Sequence, residues 1–236
     1  MPFHLLHNDE HHFDFAAFTP DNIEQIETPP LLVFLHGSGE RGLDRGLTLK
    51  GIAHIFENMQ LPVVVIFPQC DWEHRAFYGA MEERVFQSIE TASGTFGTNA
   101  NRIYLAGYSM GGSSCLWLGA KHPERFNAIL CIAPGITWMG EEPPPRLPIE
   151  DQELFDSMFV VSNRTEIIAK HIKDIPIWFL QGTEDEPCPI EETRQLVSEL
   201  HQLGANPIFT EFDGIDHDSL GMGLEQEGVF EWLLAI

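Results

Sequence analysis

The chain is short of positive charge. It has 13 Lys and Arg against 36 Asp and Glu in 236 residues, a net charge of −23. That balance argues against nucleic acid as a partner, because phosphates need a basic footprint. It also argues against anionic membrane surfaces and strongly anionic substrates. Cysteine is scarce: Cys70, Cys115, Cys131 and Cys188 lack any metal-type spacing such as Cys-x-x-Cys. Cys115 and Cys131 fall within apolar patterns, where cysteine acts as a small hydrophobe. No apolar run reaches the length of a membrane span. The start, MPFHLLHNDEHH, has no basic segment followed by an apolar core, so no secretion signal is expected and the expected compartment is the cytoplasm. His7, His11 and His12 are read as a polar turn rather than a metal site, since no firm fourth ligand accompanies them. No metal and no cofactor are expected.

Short apolar runs are plentiful. LLVFLHG, VVVIFP, RIYLAG, NAILCIAPG and IPIWFLQG read as strands buried on both faces, the habit of parallel sheets. Helical periodicity separates them, with Met81, Val85, Phe86 and Ile89 at steps of three and four over residues 80–92. Further helices are expected at Met110–Lys121, 190–203 and Gln226–Ile236. FHLLHNDEHHFDFAAF reads as two short strands around a polar turn, added antiparallel at one edge. PIFTEF is a last strand. Alternating strands and helices predict an α/β fold, a mostly parallel central sheet with helices on both faces. The whole chain, 1–236, is expected to be a single domain. Residues 136–174 interrupt the rhythm. They begin acidic and proline-rich, with Trp138 and Pro143-Pro144-Pro145, and turn helical from Leu154 to Lys170. This insertion is expected to be a small lid.

GYSMGG, residues 107–112, is a Gly-x-Ser-x-Gly pattern between a strand and a helix, the nucleophile-elbow arrangement that exposes Ser109. A serine hydroxyl needs a base, usually histidine, oriented by a carboxylate. Ligands of such sheets bind at the carboxyl ends of strands. TEDEPCP follows one strand and offers Glu184, Asp185 and Glu186; DGIDHDSLG follows another and offers His217. The order serine, acid, histidine is that of α/β-hydrolases. The developing oxyanion needs two donors. The N–H of Met110 is one. The other is expected from HGSGERG, at Ser38 or next at Gly39. His36 is read as a structural hydrogen-bonding residue, and Glu40 and Arg41 as a local ion-pair network holding this loop. Trp72, Trp138 and Met222 lie in loops expected at the same edge and are candidates to line a substrate pocket.

LLVFLHGSGERG, FPQCDW, RIYLAGYSMGG, KHPERF, IPIWFLQGTEDEPCP and DGIDHDSL together resemble the α/β-hydrolase-fold esterase/peptidase group. Its members include predicted peptidases, phospholipase/carboxylesterase-type and dienelactone-hydrolase-like proteins. The resemblance runs from residue 31 to the C-terminus, broken by 136–174. The family's Gly-x-x-Asp-x-x-Val-Pro segment matches Gly182, Asp185 and Pro189, with Cys188 at the valine, and so selects Asp185 as the acid. Its Gly-x-x-His-Asp segment matches Gly214, His217 and Asp218. The resemblance implies a metal-independent serine hydrolase acting on a small-molecule carboxylic ester. Thioester hydrolysis, small-peptide hydrolysis and a ligand-binding protein without turnover are the alternatives.

Overall fold

The computed structural model describes residues 1–42, 55–56, 59–137 and 147–236. Eight strands form one sheet: β1 (Phe3–Asn8), β2 (Phe13–Phe18), β3 (Leu31–Leu35), β4 (Val64–Phe67), β5 (Ile103–Tyr108), β6 (Ala128–Ile132), β7 (Ile177–Gly182) and β8 (Ile208–Phe212). Their spatial order is β1-β2-β4-β3-β5-β6-β7-β8. The pairings from β4 through β8 are parallel, while β1–β2 and β2–β4 are antiparallel. The N-terminal hairpin thus forms one edge, as expected from its alternating sequence.

The apolar runs are buried on both faces because each strand feeds two cores at a period of two. Leu31, Val33 and Leu35 enter one core; Leu32 and Phe34 enter the other. Ile103 and Leu105 on β5 alternate in the same way with Tyr104 and Ala106. The first core is covered by helices α1 (Ala80–Phe96), α2 (Met110–Lys121), α3 (Ile149–Phe159), α4 (Arg164–Ile172) and α5 (Ile190–Gln202). The second is covered by α6 (Leu220–Glu225) and α7 (Val229–Ala235).

Three elements depart from the sequence reading. Helix α1 runs on to Phe96, past the apolar stripe that ends at Ile89. Its polar last turns are tied internally, with Thr91 Oγ1 donating to the Gln87 carbonyl and Thr95 Oγ1 to that of Thr91, each at 2.8 Å. The helix stops at Gly97, which adopts the left-handed conformation favoured at this position. The helical part of 136–174 is two helices, α3 and α4, rather than one. The C-terminal helix is shorter than expected and is preceded by α6, too brief for periodicity to reveal.

A buried ionic cluster holds α3 to the body. Glu82 on α1 accepts from Trp117 Nε1 at 2.6 Å, and it contacts Lys121 Nζ at 2.9 Å and His122 Nε2 at 2.8 Å. Lys121 also reaches Asp151 of α3 at 2.7 Å. Burial pushes the Glu82 carboxyl toward protonation, but the bonds from His122, Lys121 and Trp117 outweigh it and hold the pKa below its ordinary value.

Candidate active site

Ser109 stands between β5 and α2 with φ 54° and ψ −115°, one of few non-glycine residues at positive φ. Such a conformation costs about 1–3 kcal/mol and persists only where the surroundings impose it. Here they do. The Ser109 N–H donates to the Ile132 carbonyl on β6 at 2.9 Å, and the Ser109 carbonyl accepts from Ser113 N–H at 3.0 Å. The turn leaves no space at Gly111. A Cβ there would lie 1.9 Å from the Leu35 carbonyl oxygen, so helix α2 starts with its backbone against β3.

The residues proposed from sequence as partners meet this serine. His217 Nε2 lies 2.8 Å from Ser109 Oγ, and His217 Nδ1 lies 2.9 and 3.0 Å from the two carboxylate oxygens of Asp185. Asp185 is buried. Its oxygens also accept from the Cys188 N–H at 2.8 Å and from Gln181 Nε2 at 3.1 Å. Gln181 in turn accepts from Thr193 Oγ1 at 2.6 Å. Glu184 and Glu186 share the loop but do not contact the histidine. Of the three acidic residues in this loop, Asp185 is the one bonded to the imidazole.

The loops carrying Asp185 and His217 are joined by backbone. Glu184 N–H donates to the Ile215 carbonyl at 2.8 Å, Thr183 N–H to that of Phe212 at 3.0 Å, and Gly214 N–H to Thr183 Oγ1 at 2.9 Å. This approach requires glycine at 182, where a Cβ would stand 2.1 Å from the Ile215 oxygen. Tyr108 OH donates to the His217 carbonyl at 3.0 Å, and its ring centroid lies 5.3 Å from the imidazole. Tyr108 was not anticipated as a support of the histidine; its place just before Ser109 was the available signal.

The loop after β3 turns through a short 3₁₀ segment, Ser38–Glu40. Ser38 and Met110 both line a cavity of about 290 Å³ that opens onto Ser109. Met110 begins α2, so its N–H has no acceptor within the helix. Gly39 lies beside Ser38 but outside the cavity wall. His36 underpins the loop. Its Nδ1 lies 2.7 Å from the Gly37 carbonyl, and its Nε2 accepts from the Cys70 N–H at 3.0 Å. One ring nitrogen is therefore a donor and the other an acceptor, which defines a neutral imidazole. Burial drives its pKa down to about 4. Glu40, by contrast, is pushed up by burial, against the opposing N–H groups of Gly37 and Glu40 itself.

The ion-pair network expected around Glu40 and Arg41 is not seen among the described residues. Arg41 holds the loop through carbonyls instead, with Nε to Ser38 O at 3.2 Å and Nη1 to His74 O at 3.1 Å. A guanidinium carries five donors in a fixed fork, which suits it to bracing backbone. Trp72 lies 61% exposed, with the Arg41 guanidinium 5.6 Å from its ring centroid, and is not in the cavity wall. Met222 is 44% exposed on α6, also outside the wall. Trp138 lies outside the described residues. Among the described residues, the wall also includes Arg41, Arg75, Ala76, Tyr78, Thr137 and Phe159, together with Ser113, Gly135 and Cys188 beside Ser109. Sequence reasoning missed these because they come from six separate segments of the chain.

Asp185, Cys188 and His217 bring potential metal-ligating atoms within 4.8 Å of one another. The carboxylate and imidazole are bonded to each other, and burial raises the Cys188 thiol to about 12. At the N-terminal hairpin, His7 Nδ1 bonds to Asp14 across the β1–β2 pair, consistent with a polar turn.

The sheet order, the strained serine and the loops at the strand ends define the α/β-hydrolase fold. The sequence model of the prolyl oligopeptidase family matches residues 83–235, a span containing Ser109, Asp185 and His217. The chain belongs to that family. It is 27% identical over 205 residues to the iron(III) enterobactin esterase of Escherichia coli O6:H1, covering 82% of this chain and 47% of that protein. The chain thus spans about half the length of the curated relatives it matches. Among solved structures, a thermostable esterase superimposes over 99% of this chain and 62% of its own, with TM-score 0.73 and 25% identity. The S-formylglutathione hydrolase FrmB of Staphylococcus aureus shares the fold over 99% of this chain and 98% of its own, with TM-score 0.70 and 12% identity. Among the described residues, no helix is long and apolar enough to cross a membrane.

Proposed function

We propose that the protein hydrolyses small carboxylic esters through Ser109, His217 and Asp185. The observation carrying this reading is the 2.8 Å contact between His217 Nε2 and Ser109 Oγ on a strained elbow. His217 Nε2 takes the hydroxyl proton as Ser109 Oγ attacks the ester carbonyl. Asp185 holds Nδ1–H and balances the imidazolium that forms. The N–H groups of Ser38 and Met110 receive the oxyanion, each such donor being worth roughly 100- to 1,000-fold in rate. His217 then gives its proton to the departing alkoxide, leaving an ester on Ser109. Water, deprotonated by the same imidazole, attacks that ester; the new intermediate collapses, Ser109 regains its proton, and the acid leaves. No step calls for a metal ion.

The esterase names of the relatives support esters over amides, and thioesters or small peptides are the second reading because the family is that of an oligopeptidase. Residues 136–174 act as a lid in this proposal. Its support is Phe159, which ends α3 and lines the cavity while packing 5.8 Å from Tyr78. The test is an ester panel graded by acyl length, run beside thioester and peptide substrates, with Ser109→Ala as control. Wild-type protein should turn over esters fastest and react with a fluorophosphonate at Ser109, and the variant should do neither. Turnover surviving in Ser109→Ala would refute the nucleophile.

A further inference from the structure

Strand β5 lays its residues alternately on the two faces of the sheet. Ile103 and Leu105 enter the core beneath α1 and α2, while Tyr104 and Ala106 enter the other, and Tyr108 continues that second row. The last residue before Ser109 therefore turns away from α2, toward the core that α6 covers, and α6 directly follows the His217 loop. The strands on either side hold it in register. Leu35, at the end of β3, pairs with Gly107, and Ile132 of β6 pairs with Tyr108 itself.

From this place the side chain reaches two loops. Its hydroxyl donates to the His217 carbonyl at 3.0 Å, and the same carbonyl accepts from the Ser219 N–H at 2.8 Å. Both lone pairs of that oxygen are thus engaged, which ties down the backbone that carries the imidazole. Burial first, then the nearby Asp218 and Asp185 carboxylates, push the phenol well above its ordinary pKa, so it keeps the proton it donates. The other contact is with the loop that carries Ser38. A Cβ at Gly37 would come 3.1 Å from Tyr108 Cδ1, 3.3 Å from its Cε1 and 3.2 Å from Glu40 Oε2. With φ −75° and ψ 174°, Gly37 has a backbone that any residue adopts. What the glycine provides is room for the tyrosine ring and the carboxylate. Among the described residues, Tyr108 does not line the chamber that opens onto Ser109.

Resting on the esterase reading, we infer that Tyr108 is a positioning residue that sets the spacing between the oxyanion loop and His217. The reaction needs both at once, since the imidazole must meet Ser109 Oγ while the Ser38 N–H meets the oxyanion. The phenol anchors one and the ring edge limits the approach of the other. Because Tyr108 stays out of the chamber wall, its loss should misalign the transition state and leave ground-state binding in place.

The test separates the two contacts. Tyr108→Phe removes the hydroxyl and keeps the ring. It should lower kcat for the best ester by about tenfold, leave KM within about twofold, and slow fluorophosphonate labelling of Ser109 by a similar factor. Tyr108→Leu removes the ring as well and should cost about 100-fold in kcat. Gly37→Ala presses a methyl group against the ring. It should lower kcat in wild-type and Tyr108→Phe protein, and its penalty should shrink about fivefold or more in Tyr108→Leu protein, where there is space for the methyl. Urea unfolding identifies the folded variants. Wild-type kcat and labelling in Tyr108→Phe, a loss carried by KM, or a Gly37→Ala penalty equal in all backgrounds overturns the inference. Slowed labelling in the variants, with no ester turned over by wild-type protein, would instead overturn the proposed reaction and leave the positioning role standing.

Discussion

His36 should make the stability of this protein depend on pH between about 4 and 6.5. The residue is fully buried beneath the loop that carries Ser38, with one ring nitrogen facing the Gly37 carbonyl and the other accepting from the Cys70 N–H. Protonation destroys the second bond and places a charge in a dry site near the Arg41 guanidinium, which is why the pKa falls to about 4. In the unfolded chain the imidazole reverts to about 6.5. Between these values the unfolded state holds the extra proton, so stability rises with pH across the window and is lost as pH falls through it. A difference of about 2.5 pKa units corresponds to about 3 kcal/mol, a large share of a typical net stability of roughly 5–15 kcal/mol. Glu40 contributes with the opposite sign, because burial raises its folded pKa and folding then favours its proton. Comparison with a variant therefore isolates the histidine. Urea unfolding of wild-type and His36→Gln protein at intervals from pH 4 to 7 is the assay. His36→Gln should be less stable at pH 7, and the gap should close by about 3 kcal/mol toward pH 4. Parallel curves over that range would refute the buried neutral imidazole.

Two further substitutions probe the site. Asp185→Asn should lower kcat by about 10,000-fold while leaving more activity than Ser109→Ala, since the acid orients the imidazole and steadies its charge without reacting; full activity in Asp185→Asn accompanied by loss in Glu184→Gln or Asp216→Asn would move the acid elsewhere. Phe159→Ala removes a buried ring from the chamber wall and should cost about 3 kcal/mol in unfolding free energy while shifting acyl preference toward bulkier groups by about tenfold in kcat/KM, or about 1.4 kcal/mol; an unchanged profile in folded protein would remove 136–174 from substrate selection.

What the sequence made legible followed its local signals. Strands such as LLVFLHG announce themselves by continuous apolar character, and helix α2 is bounded as expected because Ser109 and Pro123 punctuate it. That Ser109, Asp185 and His217 meet was legible because each follows a strand, and a strand end delivers its loop to a common edge. The substrate wall was not. Tyr78 precedes α1, Thr137 follows β6 and Phe159 ends α3, and no local pattern says that they converge. Trp72 illustrates the same gap. A tryptophan in the right loop looked like a pocket residue, but its side chain lies over Arg41, and the guanidinium takes the place in the wall. Arg41 was read as part of an ion-pair network holding the loop, with its partners left open. In a turn, neighbouring side chains diverge, and backbone carbonyls proved the nearer acceptors.

The first turns of α5 connect the chemistry to the wall that surrounds it. Thr193 fixes Gln181, and Gln181 donates to Asp185, so this end of α5 orients the acid. One residue earlier, Glu192 accepts from the Thr137 N–H at 3.1 Å, bonds its hydroxyl, and accepts from Arg164 Nη2 of α4 at 2.7 Å. Thr137 lines the chamber, and α4 belongs to the 136–174 insertion. Adjacent side chains on one helix therefore hold the Asp185 carboxylate, through Gln181, and two of the points where the insertion meets the body. The wall beside Ser109 and the acid behind His217 are braced against the same rigid element. A shift of α5 would therefore disturb the contacts at Thr137 and at Asp185 together.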